Sequence, residues 1–125
     1  MKDANELRRA LAQYNNGTGQ YHRHGLVRSV IATDGAKFFF ENAGHGAYWL
    51  FDIMATETKK TVETRSFAKV IVKSNGKNAV VDTEDGNGNV LKTKRIDITD
   101  CPEGEWPFFM VNDGDYQVIL LPTEY

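Results

Sequence analysis

The sequence predicts an α+β domain in which two to three N-terminal helices pack on one face of a four- to five-stranded antiparallel meander sheet. Apolar residues recur with helical spacing before residue 66 and with a period of two after it. Glycine-containing turn dipeptides separate the strand-like segments. A length of 125 residues suits one domain with its own core, and helices followed by strands are typical of the α+β class. We therefore expect one domain over residues 1–125.

The first helix is predicted over residues 3–14. Leu7, Ala10, Leu11 and Tyr14 recur there at the spacing of one helical face. Asparagine and glycine residues follow, and they tolerate the left-handed conformation that ends a helix.

Two further helices are predicted on either side of Gly44 and Gly46, which interrupt helical structure. The first covers residues 35–42. The second covers residues 47–57, and its wide apolar stripe makes it the most buried helix of the chain. The polar residues 56–65 are predicted to form a solvent-facing helix end or a linker.

The second half of the chain alternates apolar and polar residues, as strands with one solvated face do. The predicted strands are residues 67–73, 78–84, 90–98, 107–111 and 116–121, and residues 26–32 favour a further short strand. Short turns separate consecutive strands and predict antiparallel hairpins: Asn75-Gly76, Asp85-Gly86-Asn87-Gly88 and Asp113-Gly114.

Composition indicates a cytoplasmic protein without a membrane segment. The chain is 41% hydrophobic and 26% charged, and no apolar run approaches the roughly 18 residues needed to cross a bilayer. Its first residues lack the apolar stretch of a signal peptide. Cys101 is the single cysteine, which excludes an internal disulfide and fits a reducing compartment.

Charge is distributed unevenly along the chain, although the net charge is only −2. From residue 96 onward there are seven acidic residues and no Lys or Arg. An acidic surface can mimic a phosphate backbone and occupy a basic nucleic-acid channel, or it can consist of solvated turns. We expect the partner-binding residues to include Glu103, Glu105, Asp113 and Asp115.

Direct nucleic-acid binding is not expected. A sequence pI of about 5.9 is below the basic value of a dedicated binder. Arg8, Arg9, Arg23 and Arg28 supply only a small basic group.

No catalytic, metal or cofactor motif is present. The chain contains neither a GxSxG elbow nor a phosphate-binding glycine loop. When Gly88 is aligned with the invariant glycine of a calcium loop, Thr83 and Lys94 stand at the first and last positions, where acidic residues are required. His22, His24, His45 and Cys101 match no zinc-site spacing. We therefore predict no catalytic residues, no metal and no cofactor.

An alternative interpretation is a small-molecule or nucleotide-binding protein, or an enzyme, with a pocket between the helix at 47–57 and the sheet. An arginine beside aromatic residues can hold a planar or anionic ligand. The same residues also fit structural roles, such as Asp34 capping a helix. The pocket would be lined by Tyr21, Arg23, His24, Asp34, Tyr48, Trp49 and Asp52.

A third interpretation is a homo-oligomer that associates through a sheet edge or through Trp106-Pro107-Phe108. The same aromatic residues suit an ordinary core, which is the simpler expectation.

Several short motifs, in order, give the chain a family resemblance. They are Gly17-Thr18, Gln20-Tyr21, Arg23-His24, Thr33-Asp34-Gly35, Glu41-Asn42-Ala43-Gly44, Ala47-Tyr48-Trp49-Leu50 with Asp52, Asp85-Gly86-Asn87-Gly88 and Leu120-Leu121-Pro122-Thr123-Glu124-Tyr125. The chain resembles an uncharacterised family of small prokaryotic proteins found on plasmids, in phages and in bacterial genomes. It departs from the pattern at His22, where an aromatic residue is expected, and at His45-Gly46, which looks inserted.

The resemblance implies no reaction, cofactor or catalytic residue. It implies a mobile-element setting, in which small acidic proteins often bind a host protein. Anti-CRISPR proteins, which block a defence nuclease, are one such class. We therefore expect a non-enzymatic protein-binding module, with a host protein such as a basic nuclease as its partner.

Overall fold

The computed structural model describes all 125 residues. The helices are α1 (Ala4–Leu11), α2 (Asp34–Asn42), α3 (Tyr48–Ile53) and α4 (Lys59–Arg65), with a π-helical turn at Met54–Thr58 and a 3₁₀ turn at Pro122–Glu124. The strands are β1 (Tyr21–Arg23), β2 (Val30–Thr33), β3 (Phe67–Ser74), β4 (Ala79–Glu84), β5 (Val90–Ile96), β6 (Gly104–Asn112) and β7 (Gln117–Leu120).

The strands form one sheet of seven strands in the order β1-β2-β7-β6-β3-β4-β5. The α+β class is confirmed, but the four- to five-stranded antiparallel meander is wrong. The chain leaves β5 at one edge and crosses back, so that β6 pairs with β3. β2 then pairs with β7 in parallel. Local hydrophobic periodicity does not indicate which strands pair when they are distant in the chain. The strand order was therefore predicted wrongly.

The three turn motifs join hairpins as expected. Each hairpin turn contains glycine with a positive φ angle. Gly76 lies between β3 and β4, Gly86 and Gly88 lie between β4 and β5, and Gly114 lies between β6 and β7. Turns of this kind connect adjacent antiparallel strands tightly.

Side chains on one face of the sheet form part of a core of 24 buried residues. Register places Val70 opposite Phe108 and Met110 opposite Ile119, so their side chains share that face. Phe39 of α2 meets Phe108 edge to face at 5.0 Å between ring centroids. The buried residues of all four helices are part of the same core. We call this side of the sheet the inner face.

The helix boundaries differ from expectation in two places. The first helix ends at Leu11 rather than residue 14. The segment 56–65, expected as a polar helix end or linker, continues the helix from α3 through the π-helical turn to Arg65. One apolar residue, the fully buried Val62, anchors this final stretch to the core. Ser66 then adopts a positive φ of 69° and ends the helix.

None of the helices has the length and apolar character needed to cross a membrane.

Candidate functional site

The outer face of the sheet, opposite the core, carries a continuous row of apolar side chains. Ile31 pairs with Val118, Val118 with Val111, and Val111 with Phe67, across β2, β7, β6 and β3. Paired residues in neighbouring strands project to the same side of the sheet. All four side chains are partly exposed. We call Ile31, Val118, Val111 and Phe67 the apolar row.

Arg23 and two tyrosines stand at one end of the apolar row. Arg23 of β1 lies opposite Ile31. Together with Tyr21 and Tyr116 they line an open cleft of about 420 Å³. Tyr21 is 59% exposed and Tyr116 37% exposed. We call Tyr21, Arg23, Ile31 and Tyr116 the Tyr–Arg cleft.

The guanidinium of Arg23 has no carboxylate partner. The chain forms eight ion pairs, and each uses a lysine or a histidine. None of the six arginines takes part. The guanidinium of Arg23 is therefore available to an acceptor outside the chain.

The other residues of the predicted pocket lie away from this cleft. Asp34 lines a separate cleft with His22, whose Nε2 is 2.8 Å from Asp34 Oδ1. This hydrogen bond lowers the pKa of Asp34, and backbone N–H groups of Gly19 and Gln20 add to the effect. Asp34 thereby ties the loop before β1 to the start of α2.

His24 and Asp52 form a pair of their own. His24 is buried, and its Nε2 lies 2.7 Å from Asp52 Oδ1. Its Nδ1 accepts the backbone N–H groups of Leu26 at 3.2 Å and Val27 at 3.0 Å. Because Nδ1 is an acceptor, Nε2 carries the proton and donates to Asp52. Both ring nitrogens are engaged, so His24 shapes a turn instead of serving as a base.

Tyr48 and Trp49 occupy neither cleft. Trp49 is partly buried and packs against the core, while Tyr48 is 47% exposed. Partial burial and the nearby carboxylate of Glu41 raise the pKa of Tyr48. The seven residues expected around one pocket are therefore divided among separate places on the domain.

The four acidic residues expected to bind a partner lie in two pairs. Glu103 and Glu105 flank the beginning of β6, whereas Asp113 and Asp115 follow its end. Eight residue steps at about 3.3 Å put the pairs roughly 25 Å apart. Asp113 also accepts the N–H of Tyr116 in the hairpin turn.

The histidines and the cysteine are not gathered in one place. No three of the His, Cys, Asp and Glu side chains are grouped as metal ligands. His45 pairs with Asp100 at 2.7 Å, as His22 and His24 pair with their own aspartates. Burial raises the pKa of Cys101 to about 12, which makes the thiol inert at neutral pH.

The motif Thr33-Asp34-Gly35 is joined to the last turn of the chain by a buried carboxylate. Glu124 accepts the Thr33 hydroxyl at 2.6 Å and the Gly35 N–H at 3.0 Å. It also accepts the Leu121 N–H at 2.9 Å. A Cβ on residue 35 would lie 2.7 Å from Glu124 Oε1, so glycine leaves room for the carboxylate. These two motifs therefore have a structural role at the start of α2.

Fold and site together define an α+β domain built on one seven-stranded sheet with an apolar row on its outer face. Residues 5–125 match the model of a family of unknown function, DUF6876, and the chain belongs to that family. No curated protein matches the chain.

A crystal structure of a protein of unknown function from Enterococcus faecalis is similar in fold, with a TM-score of 0.52 and 21% sequence identity. The similarity covers 85% of this chain and 98% of that one.

Sequence reasoning found Tyr21 and Arg23 but missed Ile31 and Tyr116. The parallel pairing of β2 with β7 brings these residues together. No local sequence pattern predicts a contact between two segments that are so distant in the chain.

Proposed function

We propose that this chain is a non-enzymatic protein-binding module whose partner docks on the outer face and is anchored by the Tyr–Arg cleft. The observation that carries the proposal is an arginine without an ion-pair partner, set between two exposed tyrosines at the end of the apolar row. Tyrosine and arginine are the residue types enriched at the energetic centres of protein interfaces.

The apolar row supports the same interpretation. We infer that the helices cover only the inner face, so the outer face is left to solvent in the free protein. A solvated sheet face normally carries polar side chains, yet the outer face of β3, β6 and β7 carries Phe67, Val111 and Val118. The row spans four strands, roughly 15 Å. The four side chains are partly exposed, and a contiguous apolar surface on a monomer is typical of an interaction site.

The partner we propose is a different protein that presents a carboxylate beside an apolar surface. A carboxylate would satisfy Arg23 by a charge-assisted pair of hydrogen bonds. Within the outer face, Asp82 is already engaged by Lys73 at 3.1 Å and Thr93 at 2.8 Å. Glu105 lies on the same face by register, is exposed and forms no ion pair, so a second copy of this chain is the alternative occupant that the binding test has to distinguish.

A basic host nuclease, inhibited in the manner of anti-CRISPR proteins, is a second candidate partner in a phage or plasmid setting. The absence of Lys and Arg after residue 95 favours it. It would bind through Glu103, Glu105, Asp113 and Asp115, and it would have to contact both ends of β6.

The test is capture of a partner by the immobilised chain, followed by affinity measurement on the identified complex. Arg23→Glu and Tyr116→Ser are expected to weaken binding at least about tenfold each, since hot-spot residues contribute about 2 kcal/mol or more. Arg9→Glu is the matched control, because Arg9 is also exposed and lies on α1.

Unchanged affinity in both cleft variants would refute docking at the Tyr–Arg cleft. A loss of affinity confined to Glu103→Lys and Asp113→Lys, with steep salt dependence, would favour the nuclease candidate instead.

A further inference from the structure

A second concave site lies on the far side of β6 from β3. β7 pairs only with residues Phe109–Asn112 of β6, although β6 begins at Gly104. The first half of β6 therefore has a strand neighbour on one side only. Helix α1 and residues 121–123 close the other side and leave an open groove of about 300 Å³.

The lining of this groove is mainly apolar with one cation. Its size is at the lower end of the range for small-molecule sites in proteins. Arg8 is the single basic residue in the lining, and Glu105 is the single acidic one. The hydrophobic lining residues are Leu11, Ala12, Phe39, Trp106, Phe108 and Leu121.

The guanidinium of Arg8 is held in position without an anionic partner. Its Cζ lies 4.6 Å from the centre of the Trp106 ring, a cation–π contact. Gly104 makes this position possible, because a Cβ on residue 104 would come within 2.2 Å of Arg8 Nη2. The indole is fixed in turn, since its Nε1 donates to the carbonyl of Pro102 at 2.9 Å. The cation is therefore oriented before any ligand arrives.

We propose that this groove binds a small organic monocarboxylic acid, with its apolar body against the partly exposed Leu11 and Pro122 and its carboxylate on Arg8. A guanidinium pairs with a carboxylate through two parallel hydrogen bonds. Glu105 repels every negative charge in the groove, and because this repulsion grows with the charge of the ligand it disfavours dianions such as phosphate esters more than monocarboxylates. An extended peptide is a poorer fit, because Pro107 has no N–H to offer an added strand.

The groove is distinct from the Tyr–Arg cleft, with which it shares no residue. Ligand binding in this groove and partner binding at the Tyr–Arg cleft can therefore be tested independently.

The experiment follows the indole N–H signal of Trp106 by NMR while 3-phenylpropionate is added to the full chain. The neutral amide 3-phenylpropanamide and the dianion phenyl phosphate are titrated in parallel. We expect a saturable shift with the acid and affinity at least about tenfold weaker for the amide, as loss of a charge-assisted pair implies.

Two variants of α1 make the test specific. Arg8→Gln is expected to weaken binding of 3-phenylpropionate by about tenfold or more, whereas Arg9→Gln, one residue along the same helix, leaves it unchanged. A Trp106 signal that does not saturate at millimolar acid would overturn the proposal. So would equal affinity for acid and amide, or full binding by Arg8→Gln.

Discussion

Replacing Glu124 with glutamine is expected to destabilise the fold strongly, although glutamine has nearly the same shape. Glu124 is 4% exposed, and its carboxylate accepts three hydrogen bonds, from Thr33, Gly35 and Leu121. A glutamine side chain has one acceptor oxygen, and its NH2 group only donates hydrogen bonds. At least one buried donor would then face another donor.

The magnitude follows from the number of contacts that are lost. A hydrogen bond to a charged group contributes about 1.5–3 kcal/mol, and a carboxylate near the start of a helix adds about 0.3–1 kcal/mol. We therefore expect Glu124→Gln to lower the free energy of unfolding by about 2–4 kcal/mol. Urea unfolding measures this as a lower midpoint with an unchanged slope.

The control is Glu103→Gln, which removes the same charge from an exposed residue. It is expected to change stability by less than about 0.5 kcal/mol. A double-mutant cycle with Thr33→Val should give a coupling of about 0.5–3 kcal/mol. A Glu124→Gln variant as stable as Glu103→Gln would refute the structural role assigned to the C-terminal motif.

Three other predictions concern single side chains. The Thr58 hydroxyl is buried without a hydrogen-bond partner, so Thr58→Val should raise the free energy of unfolding by about 1 kcal/mol in urea titrations, and a loss of stability would contradict this. The pKa of Asp34 is lowered chiefly by His22; the carboxylate therefore stabilises the fold above its unfolded pKa, and this contribution is lost as pH falls through the folded value. His22→Ala should raise the pKa of Asp34 in a ¹³C NMR titration, and an unmoved midpoint would count against the pair. Burial raises the pKa of Cys101 to about 12, so thiol reagents should label the folded chain only at the rate of unfolding, and rapid labelling at neutral pH would refute this.

Local features of the fold could be predicted because they depend on neighbours in sequence. The helix before Gly44 and the hairpins at Asn75-Gly76 and Asp113-Gly114 follow from spacing and from residues that accept positive φ. The segment 56–65 was harder to predict, because Val62 is its only apolar residue in the core and its other buried residue, Thr58, is polar.

Features that depend on distant pairing could not be predicted. The parallel pairing of β2 with β7 joins β1 and β2 to the other five strands in one seven-stranded sheet. The same pairing forms the cleft between Tyr21 and Tyr116. The groove beside Arg8 likewise exists because β7 is shorter than β6. Strand lengths and partners of this kind are set by the packed core rather than by local pattern.

The structural roles of several motif residues could not be predicted either, because their partners are distant in the sequence. Thr33 and Gly35 are far from Glu124 in the sequence, yet the Thr33 hydroxyl and the Gly35 N–H both donate to the Glu124 carboxylate at the start of α2. His24 and Asp52 resemble a catalytic pair, but both ring nitrogens of His24 already form hydrogen bonds within the chain.

The most direct test of the central claim is site-specific photo-crosslinking in the cells from which the chain comes. A photoreactive residue at Val118, in the apolar row, is compared with one at Lys60, an exposed position on α4. Docking on the outer face predicts a discrete adduct with a different protein from position 118, lost when Arg23→Glu is added, and none from position 60. An adduct from position 60 alone, or one with only a second copy of the chain, would contradict it.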